Sequence, residues 1–250
     1  MIIFYRAGAR ALTTRSRQIQ SVERAMRLLE QLRDFPQGGK LAELCSANGL
    51  TKSTAHGLLD TLVELGYVTH QGNRYWLGNR VRALAQSPHD PARRIRELFS
   101  PALHAFNELC EADCFLAVAS GTRSYLTLEA VDCDGVAFEP IIDNHRDALC
   151  TSAVGKVLLA HDEQLARRIR REGAIGRSLE GELTLVRNVG FAVDHQASLP
   201  GLNCMAISLR LQGQVVGALG TSGRASALRP VLLQLKAKRA LRQLYDLVKC

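Results

Sequence analysis

Apolar residues return every three or four positions through "SVERAMRLLEQL" (21–32), where Val22, Ala25, Leu28, Leu29 and Leu32 fall at helical spacing. That period predicts an amphipathic helix, with Ser21 as its N-cap. "FPQGG" (35–39) breaks it. "KLAELCSA" predicts a shorter second helix with Leu41, Leu44 and Cys45 on one face. "NGL" (48–50) is a tight turn, because Asn and Gly tolerate positive φ. Thr51 then caps a third helix, Lys52 to Leu65, which Gly66 closes. Two β-prone runs follow, "YVTH" (67–70) and "RYWL" (74–77), joined by the turn residues "QGN" (71–73) as a hairpin. Trp76 on the return strand reads as core filler beneath that hairpin. Helix, short Gly-containing turn, helix and hairpin in this order describe a winged helix-turn-helix.

Placed on a wheel at 100° per residue, the third helix gathers Ala55, Leu58, Leu59, Leu62 and Leu65 on one side. Lys52, Ser53, His56, Gly57, Asp60 and Glu64 occupy the other. The N-terminal part of a recognition helix enters the major groove. Thr51, Lys52, Ser53, Thr54, His56 and Gly57 are therefore the residues expected to meet DNA. Lys40 at the start of the second helix joins them, as does Arg74 on the wing, directed at phosphate or an adjacent minor groove. Asp60 and Glu64 lie further back along the helix. Gly57 is the odd member, since glycine inside a helix costs about 1 kcal/mol relative to alanine. Its position on the polar side says that it is not a core-packing device.

The pattern changes after residue 80. "VRALAQ" continues as a helix, "SPHDP" (87–91) interrupts it, and "ARRIRELFSPALHAFNELCEA" resumes helical spacing with Pro101 as a candidate kink. "CFLAVASGTRSYLTLEAVD" predicts two strands around a turn at Gly121 to Arg123, and "AFEPII" is a candidate third. "CTSAVGKVLLA" (150–160) predicts a helix capped by Thr151 or Ser152, with Val154, Val157 and Leu158 inward and free first-turn amides suited to a carboxylate. A plain helix start, with Gly155 permitting close packing, explains the same motif. "PGLNCMAISL" and "QVVGALGTS" predict paired strands turning at Gly213. Asp194 and His195 are strand neighbours and point to opposite faces, so Asp194 is assigned to a pocket and His195 to the surface.

Charge sharpens the division. The 250 residues carry a formal net charge of +8, and residues 1–80 alone hold 11 Lys/Arg against 6 Asp/Glu. The basic excess of that first third calls for an anionic partner. Arg6, Arg10, Arg15 and Arg17 precede any acid and predict a disordered basic arm that adds phosphate attraction, with a misassigned start codon as the alternative. No apolar run of about 18 residues occurs, which excludes a membrane-spanning helix. The seven cysteines are odd in number and form no C-x-x-C pair, which argues against a disulfide framework or zinc site. Reduced thiols in a cytoplasmic protein are expected, with no metal and no cofactor.

The runs "SVERAMRLLEQL", "LAELCSANGLTKSTAHGLLDTLVELGYV", "YWLG", "CTSAVGKVLLA", "VRNVGFAVDHQASLPGLNCMAIS" and "VVGALGTSGRAS" resemble, in order, the isocitrate-lyase-regulator (IclR) family of bacterial transcription factors. The resemblance implies an α+β architecture. After the basic arm (1–20), it implies a winged helix-turn-helix DNA-binding domain (21–80), a helical linker (81–100) and a GAF-like α/β effector-binding domain (101–250). It also implies homodimers or dimers of dimers on promoter palindromes in double-stranded DNA, modulated by a small organic or aromatic acid. Ala153, Val154, Asp194, Leu202, Cys204 and Ser222 match positions that line the family's effector pocket. Gly220 replaces a residue that is frequently polar there. The family usually has Arg where this chain has Gly57, and the segment between "VLLA" and "VRNVGF" is short.

Two other readings compete. One is a protein-interaction module that has kept the helix-turn-helix but lost DNA binding. Gly57 and the short segment favour it. The other is an enzyme using Cys204 as nucleophile, which needs a nearby histidine and a depressed thiol pKa. No His/Asn arrangement of the cysteine-protease kind stands in the sequence.

Overall fold

The computed structural model describes residues 19–85, 90–122, 124–139 and 148–249. The basic arm at Arg6 to Arg17, Arg123, most of the "SPHDP" break and the end of "AFEPII" lie outside the described residues. The described residues form two compact units that divide near residue 89.

The first unit contains α1 (Gln20–Arg33), β1 (Gly39–Lys40), α2 (Leu41–Asn48), α3 (Lys52–Glu64), β2 (Val68–Gln71), β3 (Arg74–Leu77) and α4 (Asn79–Ala85). Ser21 lies inside α1, whose N-cap is Ile19 with no side-chain cap. Leu28 and Leu32 reach the core, while Val22 stays exposed. Gly49 takes the left-handed conformation (φ 61°) that ends α2, and Leu50 N–H returns to Cys45 O at 3.0 Å. Thr51 caps α3 by accepting the Thr54 amide at 3.3 Å. Ala55, Leu59 and Leu62 of α3 pack on Leu28, Leu32 and Leu44. The three strands run antiparallel in the order β1-β3-β2, with β3 central. Tyr75, not Trp76, is the buried ring of the wing, stacked on His70 with centroids 4.2 Å apart. Trp76 covers Gly38, where a Cβ would stand 2.7 Å from the indole Cζ2.

The second unit contains α5 (Pro91–Cys110), β4 (Asp113–Ser120), β5 (Ser124–Val131), α6 (Ala148–Thr151), α7 (Ala153–His161), α8 (Glu163–Arg171) and α9 (Arg177–Val189). It continues with β6 (Phe191–His195), β7 (Leu202–Leu211), β8 (Gln214–Arg224), α10 (Pro230–Gln243) and α11 (Tyr245–Val248). Asp90 caps α5 and Pro91 opens it; the helix runs through Pro101 and past the boundary expected at residue 100. The sheet is antiparallel, ordered β5-β4-β8-β7-β6. β7 and β8 form a hairpin with Gln212 (φ 51°) and Gly213 (φ 81°) at its tip, the paired positive φ of a type I′ turn. Ala137 makes only a single bridge to Val131.

Strand alternation separates two cores. Cys114, Leu116, Met205, Ile207, Leu209 and Leu219 face α5, α10 and α11. The other face carries small residues, Ala117, Ala192, Ala206 and Ala218, and α7 lies against them buried along almost its whole length. Small side chains let a helix sit close to a sheet. Gly155 makes the same accommodation toward α6, since a Cβ there would collide with Ala148 O and stand 2.7 Å from Leu149 C.

Candidate nucleic-acid interface and ligand cavity

The polar side of α3 stands free of the first unit's core. Thr51, Lys52, Ser53, His56 and Gly57 are exposed and Thr54 is half-buried. The Thr51 hydroxyl shares hydrogen bonds with Thr54 Oγ1 (2.9 Å) and Ser53 Oγ (3.2 Å), which fixes the first turn. No acid falls in that turn. His56 Nδ1 lies 2.7 Å from the Asp60 carboxylate one turn on, so Asp60 restrains the imidazole. A Cβ at Gly57 would meet nothing within 4 Å. Lys40 is exposed at the N-cap of α2, where its amide donates to Glu43 Oε2 at 2.7 Å. Arg74 is partly committed elsewhere. Its Nη1 donates to Gly38 O at 2.5 Å, bracing the loop before β1, and its other N–H groups make no hydrogen bond among the described residues.

In the second unit a cavity of about 400 Å³ opens between the sheet and the N-terminal end of α7. Five of the six residues expected to meet an effector line it: Ala153, Val154, Leu202, Cys204 and Ser222. Ser152 caps α7, accepting the Gly155 amide at 3.0 Å and donating to Ala148 O at 2.7 Å. The first-turn amides of Ala153 and Val154 have no intrahelical acceptor, so this end of α7 favours an anion. Phe115, Tyr125, Leu126, Phe138 and Leu199 make the walls largely apolar.

Asp194 is the exception. It is fully buried and does not line the cavity. Its carboxylate turns onto its own loop, accepting the Ala197 amide (2.7 Å), the Ser198 amide (3.2 Å) and the Ser198 hydroxyl. It thereby holds Ser198 and Leu199 at the cavity wall. An acid at a strand end followed three and four residues later by "AS" carries that turn signal in the sequence. His195 is exposed, on the opposite face. Asp113 and Phe115 of β4 also line the cavity and were not among the expected residues.

Cys204 faces the cavity beside Asp194, its cross-strand partner. Burial, reinforced by that carboxylate, pushes the thiol up to about 12, with the Ser198 hydroxyl opposing. The thiol is therefore protonated at neutral pH, the reverse of an activated nucleophile. Among the described residues no group of three or more His, Cys, Asp or Glu could hold a metal ion, and no helix is long and apolar enough to cross a membrane.

The IclR helix-turn-helix domain matches residues 21–72, the segment from α1 through the first wing strand. A glycerol operon regulatory protein from Streptomyces griseus is 30% identical over 238 residues, covering 86% of this chain and 89% of that protein. The chain belongs to the IclR family of transcriptional regulators. Solved IclR structures share its fold. A regulator from Alicyclobacillus acidocaldarius superposes with a TM-score of 0.62 at 22% identity, covering 90% of this chain and 96% of that one. An IclR homolog from Microbacterium hydrocarbonoxydans, complexed with 4-hydroxybenzoate, gives 0.59 at 21% identity and covers 89% and 99%. The chain is thus an IclR-family DNA-binding regulator of transcription.

Proposed function

We propose that α3 reads a promoter palindrome and that the cavity beside α7 receives the effector, a small organic acid with an apolar or aromatic body. The observation that carries the first part is the exposed, acid-free opening turn of α3. Lys52, Ser53, His56 and the Gly57 backbone contact the groove. Thr51 and Thr54 shape the helix start, and Lys40 and the uncommitted N–H groups of Arg74 contact phosphate. The effector's carboxylate takes the amides of Ala153 and Val154, and its body packs against Leu202, Cys204 and Ser222. Asp194 acts through the loop it anchors. The 4-hydroxybenzoate in the Microbacterium hydrocarbonoxydans homolog is an acid of this kind.

The protein acts in the cytoplasm as a homodimer or dimer of dimers. Ile19, Val22 and Met26 expose an apolar strip along α1 that a second copy would cover. Ligand binding shifts the population of paired DNA-binding domains, which requires different ligand affinity in the two arrangements. The raised Cys204 thiol does not support the rival reading of Cys204 as a nucleophile. A mobility-shift titration with DNA from upstream of its own gene tests the reading, with and without a panel of aromatic and aliphatic acids. A shifted band that responds to at least one acid is expected. A chain that binds no upstream fragment is instead an interaction module.

A further inference from the structure

The inner face of β4 reaches the cavity through Asp113 and Phe115, two positions apart and therefore on one side of the strand. Phe115 pairs with Gly220 on β8. A Cβ at Gly220 would stand 2.5 Å from Phe115 Cε2 and 2.6 Å from Val154 Cγ2. The phenyl ring and the valine methyl therefore occupy the volume a side chain would take at 220. Glycine at this position does not enlarge the cavity; it seats an aromatic ring in the wall next to the first turn of α7.

Asp113 pairs with Ser222, and Ser222 pairs on its other side with Cys204. A polar row, Asp113–Ser222–Cys204, thus crosses the cavity floor. Asp194 continues the row but spends its carboxylate on its own loop. Among the described residues that line the cavity Asp113 is the only Asp or Glu, and no Lys, Arg or His joins it. Asp113 is exposed and makes no hydrogen bond or ion pair through its carboxylate among the described residues. A carboxylate at this place in the wall repels a second acid group and accepts a donor.

We propose that the β4 end reads the far end of the effector. Phe115 packs on the effector's ring, and Asp113 accepts a hydrogen bond from a hydroxyl or ammonium group opposite the carboxylate. The inference rests on the effector reading above and adds the substituent class that the site selects. Val154 lies over Gly220, while Asp113 is one strand away and one pleat along, about 7 Å in the strand direction. A six-membered ring with a substituent at each end bridges that separation.

Calorimetric titration of the full chain with benzoate, 4-hydroxybenzoate and 4-(aminomethyl)benzoate tests it. The wild type is expected to bind one or both donor-bearing acids at least about tenfold more tightly than benzoate, as a hydrogen bond to a charged group implies. In Asp113→Ala that preference collapses while benzoate affinity holds or improves. Asp113→Asn separates the two donors, keeping a hydroxyl preference but losing an ammonium preference. Phe115→Leu weakens all three acids together. Equal wild-type affinity for the three acids, or a preference that survives in Asp113→Ala, overturns the inference and leaves the effector reading standing. Failure of the wild type to bind any acid overturns both. Asp113 is exposed, so its variants are expected to keep the wild-type circular dichroism spectrum and melting profile.

Discussion

Gly57→Ala isolates the cost of a glycine from any contact the residue makes. The position is inside α3, its Cβ would meet nothing within 4 Å, and no residue of the core depends on it. The side-chain bond it receives, Thr61 Oγ1 donating to Gly57 O at 2.9 Å, ends on the backbone and survives substitution. Alanine should therefore recover the full helix-propensity difference, about 0.8–1.0 kcal/mol. For a unit of this size that raises the melting midpoint by about 4–8 °C. Trp76, the single tryptophan, lies in the same unit, so its fluorescence reports this transition. An unchanged or lowered midpoint would refute the placement of residue 57 on an unencumbered helix face. Gly57→Arg keeps nearly all of that propensity gain and adds a cation where DNA is expected. One new phosphate contact should steepen the log–log salt dependence of binding by about 0.9. If Arg abolishes binding while Ala preserves it, the backbone approaches DNA closely and the glycine is a fitted contact.

Other consequences separate the two units. Gly155→Ala should destabilise the second unit by about 1–3 kcal/mol through overpacking against Ala148 and Leu149, seen by circular dichroism, with the Trp76 transition unmoved. Asp194→Asn removes the charge that raises the Cys204 thiol, so alkylation of Cys204, followed by peptide mass, should begin at lower pH than in the wild type. An unchanged pH profile would contradict the Asp194–Cys204 coupling. His161 is held down to about 4 by burial and by Arg210 and Arg187. Its unfolded form takes up a proton first, so stability should fall as pH drops from about 6.5 toward 4. His161→Asn should lose less stability over that window, and an equal loss would place the acid sensitivity elsewhere.

The first unit was legible because its signals are local. A 3.6-residue period, a threonine cap and glycines at positive φ set α2, the turn and α3 within a residue or two. The strands of the β7–β8 hairpin were legible for the same reason. Misreadings arose where tertiary packing decided. Ser21 looks like a cap, yet α1 begins before it, and Trp76 looks like core although Tyr75 takes that place. Asp194 sits at a family pocket position, but its nearest donors are its own loop amides, so the carboxylate turned inward. Asp113 and Phe115 escaped notice because an alternating strand does not say which face α7 will leave uncovered. Gly220 reads in sequence as a lost polar group, and only the position of the Phe115 ring explains what fills the space.

The central claim, that the opening turn of α3 binds DNA, is tested most directly by Lys52→Ala. Fluorescence anisotropy with a labelled fragment of the chain's own upstream region should show wild-type affinity falling steeply with salt. The variant should bind more weakly, with a log–log slope shallower by about 0.9 for each phosphate that Lys52 neutralises. Identical affinity and slope for the two proteins would contradict the account.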